Sequence, residues 1–234
     1  AAYAARAGLE AIVLTPAGAT ATAKRAQARA TGARVFEVRG SFDDALRLCC
    51  ELGERDGFVL VNSLNPDRLE GQKSVVGEIV EQLGGTPDVV ALPFGGGGNV
   101  SAVAAGFAEA GASPRIVVGE AAERATTWAS AIRIGAPAHA AHVAELVAAG
   151  RVEVVTLGED ELRRAWQLLS REEGVFCEPA SAAGVAALER TSGLQGTTAV
   201  CIVTGHGLKD AGAVDDGGTD AVDATLEAVL EAIR

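Results

Sequence analysis

The sequence predicts an α/β fold with mainly parallel sheets, and three observations carry that expectation. Short β-rich apolar runs alternate with helical patterns along all 234 residues, at spacings suited to βαβ units. One of those runs passes straight into four glycines and a helix start, as ALPFGGGGNVS over 91–101. Four polar segments also fall just beyond the carboxyl ends of expected strands, which is where open parallel sheets bind ligands.

Taken in order, the expected strands are 11–14 (AIVL), 34–38 (RVFEV), 58–61 (FVLV), 89–93 (VVALP), 115–118 (RIVV), 152–157 (VEVVTL) and 199–204 (AVCIVT). Between and after them the pattern predicts helices over 20–30, 41–54, 68–83, 100–110, 159–173 and 219–234. The second helix has a capped, dipole-matched start, because Ser41 is followed by Asp43 and Asp44. The last is amphipathic and follows DAGAVDDGGTD at 210–220, which reads as a loop. The run NSLNPDRLEGQK breaks the pattern near residues 62–67 with two asparagines and a proline, marking a boundary between a smaller lobe over 1–66 and a larger one over 67–234.

Composition bounds the function. Hydrophobic content of 48% suffices for a sizeable core, yet no window is apolar for long enough to span a bilayer. The first residues lack the basic-then-apolar layout of a signal peptide. Cys49, Cys50, Cys177 and Cys201 have no paired zinc or redox spacing and are expected to be reduced thiols of a cytoplasmic protein. A net charge of -11 disfavours nucleic acid and acidic membrane surfaces, both of which need a basic footprint. No methionine occurs and the chain opens in mid-helix pattern, so the expectation is that its beginning is missing.

Gly95, Gly96, Gly97 and Gly98 can take backbone angles closed to other residues, letting several N–H groups converge on one phosphate while the helix beginning near Asn99 adds positive potential. Three further segments join this turn at strand ends: Asn62, Ser63, Asn65 and Arg68; Gly119 and Glu120; and Thr204, Gly205, His206, Gly207, Leu208 and Lys209. Their coincidence favours one shared pocket.

Five segments resemble, in order, those of the fold-type II (tryptophan synthase β-like) family of pyridoxal phosphate enzymes, and within it the threonine synthases most closely. They are NSLNPDRLEGQK at 62–73, PFGGGGN at 93–99, AIRIGAP at 131–137, GVFCEPASAAGVAAL at 174–188 and TGHGLKD at 204–210. The resemblance implies a two-lobe architecture, pyridoxal 5'-phosphate as cofactor and O-phospho-L-homoserine as small-molecule substrate, converted with water to L-threonine and phosphate in threonine biosynthesis. It places Gly95, Gly96, Gly97, Gly98 and Asn99 on the cofactor phosphate, and Thr204 against the pyridine nitrogen. A neutral hydroxyl there leaves the ring nitrogen largely unprotonated and moderates the electron sink. Asn62 and Arg68 would meet the substrate phosphate, Arg68 through its planar fork of donors. A homodimer is the assembly it suggests.

The family's Schiff-base lysine lies in a Phe-Lys-Asp-Arg type segment, and its Gly-Asn-Thr-Ser turn grips the substrate carboxylate; both are expected upstream of Ala1. On that expectation the chain holds no catalytic residue and is inactive alone. The loop also departs from the Gly-Asn-Ala-Gly-Asn common in threonine synthases. Gly96 and Gly97 make it look partly like threonine dehydratases and serine racemases, which keeps a lyase of that kind open.

Other residues have plainer readings. Lys24 belongs to the basic face of a helix, while Lys73 and Lys209 lie nearer the pocket, where a Schiff-base role needs desolvation or a nearby cation. His139 and His142 lack a third ligand at metal spacing, so no metal is expected. His206 reads as polar lining, Ser101 and Ser181 as helix-start residues or site residues, and Glu120 as a pocket wall or a solvated side chain. A module that keeps the phosphate cradle without chemistry is the alternative from a different class.

Overall fold

A computed structural model describes residues 1–18, 22–213 and 221–233. The chain opens with the single-turn helix α1 (Ala2–Arg6), followed by β1 (Ile12–Pro16), α2 (Thr22–Ala30) and β2 (Arg34–Val38). β1 and β2 pair in parallel, with Val13 opposite Val35, and form a sheet of their own. α3 (Phe42–Gly53) then starts at the expected cap. Ser41 Oγ accepts the Asp44 N–H at 3.1 Å, and the Asp44 carboxylate accepts the Ser41 N–H at 2.8 Å. That backbone bond, with the Ser41 hydroxyl, holds the Asp44 carboxyl below the usual carboxylate range.

The run at 58–61 corrects the sequence-based expectation: it forms no strand. Its backbone is drawn into local turns instead, with the Phe58 N–H donating to Arg55 O at 3.2 Å and Asn65 Nδ2 donating to Leu60 O at 2.6 Å. Leu60 packs on the end of α3, so close to Gly53 that a Cβ there would lie 3.0 Å from its own. Val59 and Val61 point outward, 80% and 81% exposed. The apolar run is there, but no neighbouring strand among the described residues supplies a ladder.

The helix expected over 68–83 is two helices, α4 (Pro66–Gln72) and α5 (Ser74–Leu83). Asn65 caps the first through its side-chain oxygen, which accepts the Asp67 N–H at 2.8 Å, and Pro66 fits the first turn because its missing N–H would be unpaired there anyway. At the junction the Val76 N–H reaches Lys73 O, three residues back, and this tighter turn redirects the axis.

The second sheet carries the larger core. Its strands β3 (Val89–Pro93), β4 (Arg115–Ala121), β5 (Val152–Leu157) and β6 (Ala199–Cys201) lie in the order β5-β4-β3-β6, all parallel. α6 (Gly98–Glu109) connects β3 to β4 and α7 (Ala140–Ala148) precedes β5. α8 (Glu159–Arg171) and α9 (Ala183–Arg190) lie between β5 and β6. Every residue of β3 is buried, as a central strand covered on both faces requires. On one face Val90, Leu92 and Val118 meet Val100, Val103 and Phe107 of α6 and Val143 of α7; on the other, Val89 and Val117 meet Ala187 of α9. β4 outlasts its expected end at 118 because Gly119–Ala121 continue to pair with β5. β6 is shorter than expected, since after Cys201 the chain leaves β3 for an antiparallel bridge between Cys177 and His206.

A last helix, α10 (Leu226–Ala232), begins where Thr225 Oγ1 accepts the Ala228 N–H, later than the expected residue 219. The expected loop 210–220 is partly a 3-10 segment (Gly207–Ala213), and its remainder, residues 214–220, lies outside the described residues, as do residues 20 and 21 of the first expected helix. No helix among the described residues is long and apolar enough to cross a membrane.

α9 rests directly on the sheet because Gly119 has no side chain: a Cβ there would collide with the Ala183 carbonyl. Gly119→Ala is therefore expected to lower stability by about 1–3 kcal/mol, the usual cost of overpacking, seen as a lower urea midpoint with an unchanged slope. The start of α8 gives a pH test. The Glu161 carboxylate accepts the Gly158 N–H at 2.8 Å and a second bond from Arg190 at 2.8 Å, and these hold its pKa down, the backbone bond first. A lowered folded pKa adds stability above the unfolded pKa that is lost as pH falls through the folded one. Glu161→Gln should thus cost up to about 1 kcal/mol at neutral pH. In urea melts run across pH, the gap to wild type should shrink as pH falls below the ordinary glutamate pKa of about 4.3 and through the lowered folded one.

Candidate functional site

The glycine turn is fastened from outside. At the end of β3 the Phe94 N–H donates to Gly119 O at 2.7 Å. Three successive carbonyls then point away from the turn: Gly95 O accepts Arg124 Nη1 at 3.3 Å, Gly96 O accepts the His139 N–H at 3.0 Å, and Gly97 O accepts the Ser101 N–H at 2.9 Å. In a trans peptide the C=O and the following N–H are opposed, so the N–H groups of Gly96, Gly97 and Gly98 face the other way. Gly97 makes this possible with φ +86° as N-cap of α6, which starts at Gly98 rather than at the expected residue 100. From Gly95 to Val100, no backbone N–H has an acceptor among the described residues. Six such donors at the head of a twelve-residue helix are an arrangement that could hold an anion.

The AIRIGAP segment and α4 wall the turn. A Cβ at Gly95 would lie 3.1 Å from Ala131 O, one at Gly97 3.1 Å from His139 Cβ and Val143 Cγ2, and one at Gly98 3.6 Å from Leu69 Cδ2. Arg124 completes the enclosure. Its guanidinium carbon sits 4.5 Å from the centre of the Phe94 ring, Nη1 also reaches Ile134 O at 3.3 Å, and Glu120 is its counter-ion. Glu120 in turn accepts the Thr156 hydroxyl at 3.0 Å, so it belongs to the wall. Sequence reasoning passed over Arg124; the available signal was an arginine four residues after Glu120 at a strand end.

Asn62 and Arg68 lie on the α4 side of the cradle. Asn62 Oδ1 accepts the Leu64 N–H at 2.8 Å, whereas its Nδ2 is buried with no partner among the described residues. Arg68 is exposed and forms no ion pair among the described residues. His139 ties this segment to the glycine turn: its N–H holds Gly96 O, and its Nε2 is 2.7 Å from Ser63 O. Ser101 caps nothing; its buried Oγ, in the first turns of α6, has no partner among the described residues.

β6 is the neighbour of β3, so Thr204 and the glycine turn follow adjacent strands on one rim of the sheet. Thr204 is exposed, and its Oγ1 lies 3.0 Å from Ser181 Oγ. Ser181, which the sequence left between cap and site residue, caps neither the 3-10 segment Pro179–Ala182 nor α9; it is fully buried and accepts the Gly205 N–H at 2.7 Å. The Glu178 N–H holds Gly205 O at 2.9 Å and the Gly207 N–H holds Phe176 O at 3.1 Å. The two glycines of TGHG admit this approach, since a Cβ at Gly205 would meet the Glu178 carboxylate and one at Gly207 the Phe176 ring. Edge-to-face rings run outward from the turn: Phe176–His206 at 5.9 Å, Trp166–Phe176 at 6.5 Å and Trp128–Trp166 at 5.5 Å between centres.

Burial pushes the Cys201 thiol up to about 12 and raises that of Cys177, leaving both protonated and unreactive at neutral pH. Lys73 donates to Glu109 and Glu70, at 2.6 and 2.8 Å, and these bonds raise its pKa. A lysine so held keeps its proton and is no nucleophile. Lys209 is exposed beside the His206 turn, and Lys24 is half-buried on α2.

The family profile described as "Pyridoxal-phosphate dependent enzyme" matches residues 1–205. Among curated proteins, the threonine synthase of Halalkalibacterium halodurans is 42% identical over 90% of this chain and 65% of its own length. That of Synechocystis sp. is 41% identical over all of this chain and 66% of its own length. The chain thus spans just under two thirds of these relatives. Among solved structures, maize serine racemase superposes with a TM-score of 0.72 at 21% identity, over 92% of this chain and 70% of that one, which shows the shared fold.

The cradle itself is testable with inorganic phosphate. Gly97→Ala puts a methyl group at φ +86° against His139 and Val143, and should cost about 1–2 kcal/mol of stability together with a loss of phosphate affinity of tenfold or more. Gly111→Ala, at φ +69° with open space around it, carries the same backbone penalty and should leave phosphate binding, followed by 31P NMR, unchanged.

Proposed function

The chain belongs to the family of pyridoxal-phosphate dependent enzymes, and within that family we propose that the protein it represents is a threonine synthase, converting O-phospho-L-homoserine and water into L-threonine and phosphate. The observation that carries this reading is the row of N–H groups from Gly95 to Val100, beside the Arg68 guanidinium and the buried Asn62 Nδ2, all without a partner among the described residues. Such a site offers two separate sets of donors, in this reading one for the phosphate of the cofactor and one for that of the substrate. The names of the relatives at 41–42% identity point the same way.

In this reading the N–H groups of Gly95, Gly96, Gly97, Gly98 and Asn99 hold the cofactor phosphate, and the dipole of α6 favours its charge. The hydroxyl of Thr204 meets the ring nitrogen at the other end of the cofactor. When bound, pyridoxal phosphate supplies an electron sink for the substrate carbons. Arg68 and the Asn62 amide take the substrate phosphate, holding the leaving group in register with the carbon it departs from. Arg124 and His139 keep the turn in place from behind. None of Lys24, Lys73 and Lys209 is assigned the covalent attachment of the cofactor; the ion pairs of Lys73 speak against it there. The separate β1–β2 and four-stranded sheets support a smaller lobe over 1–66 and a larger, cofactor-binding lobe over 67–234.

A lyase acting on threonine or serine is the competing reading, favoured by the asparagine-poor glycine loop. The two separate in one assay of the full-length protein. The proposed activity releases phosphate and threonine one for one from O-phospho-L-homoserine. Arg68→Ala should lower kcat/KM for that substrate by about 10- to 100-fold, the worth of a hydrogen bond to a charged group, and leave any turnover of threonine or serine nearly unchanged. Equal losses on all substrates would overturn the role of Arg68.

A further inference from the structure

We infer that Ser181 is a positioning residue that fixes the direction of the Thr204 hydroxyl proton, so that Thr204 presents a donor to the ring nitrogen of the bound cofactor. The inference rests on the reading that Thr204 faces that nitrogen, and it assigns the control of its protonation to a residue that never touches it.

Protons and lone pairs at the Ser181 hydroxyl decide the direction of its bonds. A serine hydroxyl has one proton to give and two lone pairs to receive with. Ser181 Oγ is fully buried, so its partners are all protein groups. One lone pair receives the Gly205 N–H at 2.7 Å. Two acceptors compete for its proton: Thr204 Oγ1 at 3.0 Å and Gly205 O at 3.4 Å. Gly205 O is the farther of the two and already accepts the Glu178 N–H at 2.9 Å. Thr204 Oγ1 therefore receives the proton of Ser181. Having accepted there, the Thr204 hydroxyl turns its own proton outward from an exposed side chain, toward the rim it shares with the glycine turn. A donor in that position is matched by a ring nitrogen with a free lone pair and opposed by a protonated one. The reverse arrangement would make Thr204 an acceptor, and it requires Ser181 to use the longer, already occupied carbonyl.

The test loads the full-length protein with 15N-labelled pyridoxine 5'-phosphate, which has the ring and the phosphate but no aldehyde, and follows the ring nitrogen by NMR across pH. The wild type should show the unprotonated shift through neutral pH. Ser181→Ala frees Thr204 to accept, and should raise the apparent pKa of the bound nitrogen by about one unit, a tenfold change in its proton affinity. In a Thr204→Val background the same substitution should change nothing further, because Ser181 acts through Thr204. A protonated nitrogen in the wild type would overturn the inference, as would a Ser181→Ala shift that persists undiminished in Thr204→Val, the mark of a merely structural role. Should Ser181→Ala fold poorly, Ser181→Cys keeps the volume with a weak donor and should move the titration the same way; an unmoved titration overturns the inference. If Thr204→Val leaves the nitrogen unaffected, the placement of Thr204 itself is wrong and both readings fall.

Discussion

The outward pull on three neighbouring carbonyls is the constraint from which the site follows. A backbone turn of four glycines has many conformations available, and an anion cradle needs one of them. Here Arg124, His139 and Ser101 each take one carbonyl, from three different parts of the chain, and leave the N–H groups pointing the other way. The three anchors are themselves held by the fold. Arg124 rests on Phe94 and pairs with Glu120 at the end of β4, His139 heads α7, and Ser101 belongs to the first turns of α6. Sheet, helices and wall segment thus converge on a few peptide planes.

The second support is close approach without side chains. Gly119 lets α9 lie against β4, and Gly205 and Gly207 let the 176–178 segment lie against the turn that carries Thr204. The three contacts set glycine backbone against a carbonyl, a carboxylate and a ring, so distances at the rim depend on the absence of a side chain at each glycine. Buried Cys177 and half-buried Cys201, both protonated, fill the space beneath as small apolar groups.

Much of this was legible in the sequence, and the omissions have physical causes. β2, β3 and β5 could be read from their apolar runs alone, and the Ser41 cap from its spacing to Asp44. The glycine turn stood out because four adjacent glycines follow an expected strand and precede a helix start, although a plain flexible turn has the same composition. The 58–61 run misled because a short stretch of β-rich apolar residues gives only local preference, whereas a strand also needs a partner, and partners are distant in sequence. Arg124 was passed over, and the contacts of His139 and Ser181 went unread, for the same reason: each acts through a bond spanning many residues, such as the 76 between His139 and Ser63, and no local pattern marks it. The start of the last helix shifted because the Thr225 hydroxyl catches the Ala228 N–H later than the pattern implied, and that of α6 because Gly97 turns the chain into the helix earlier.

The row of rings from Trp128 through Trp166 and Phe176 to His206 contains both tryptophans of the chain. Trp166 is anchored by its indole N–H to Cys177 O at 2.7 Å, within the segment that bridges to His206. All the indole emission of these 234 residues therefore originates along a single line that ends at the turn bearing Thr204. A coloured ring seated at that turn would draw excitation from these indoles by dipole coupling, which makes the occupancy of the rim visible as quenching in the unmodified protein.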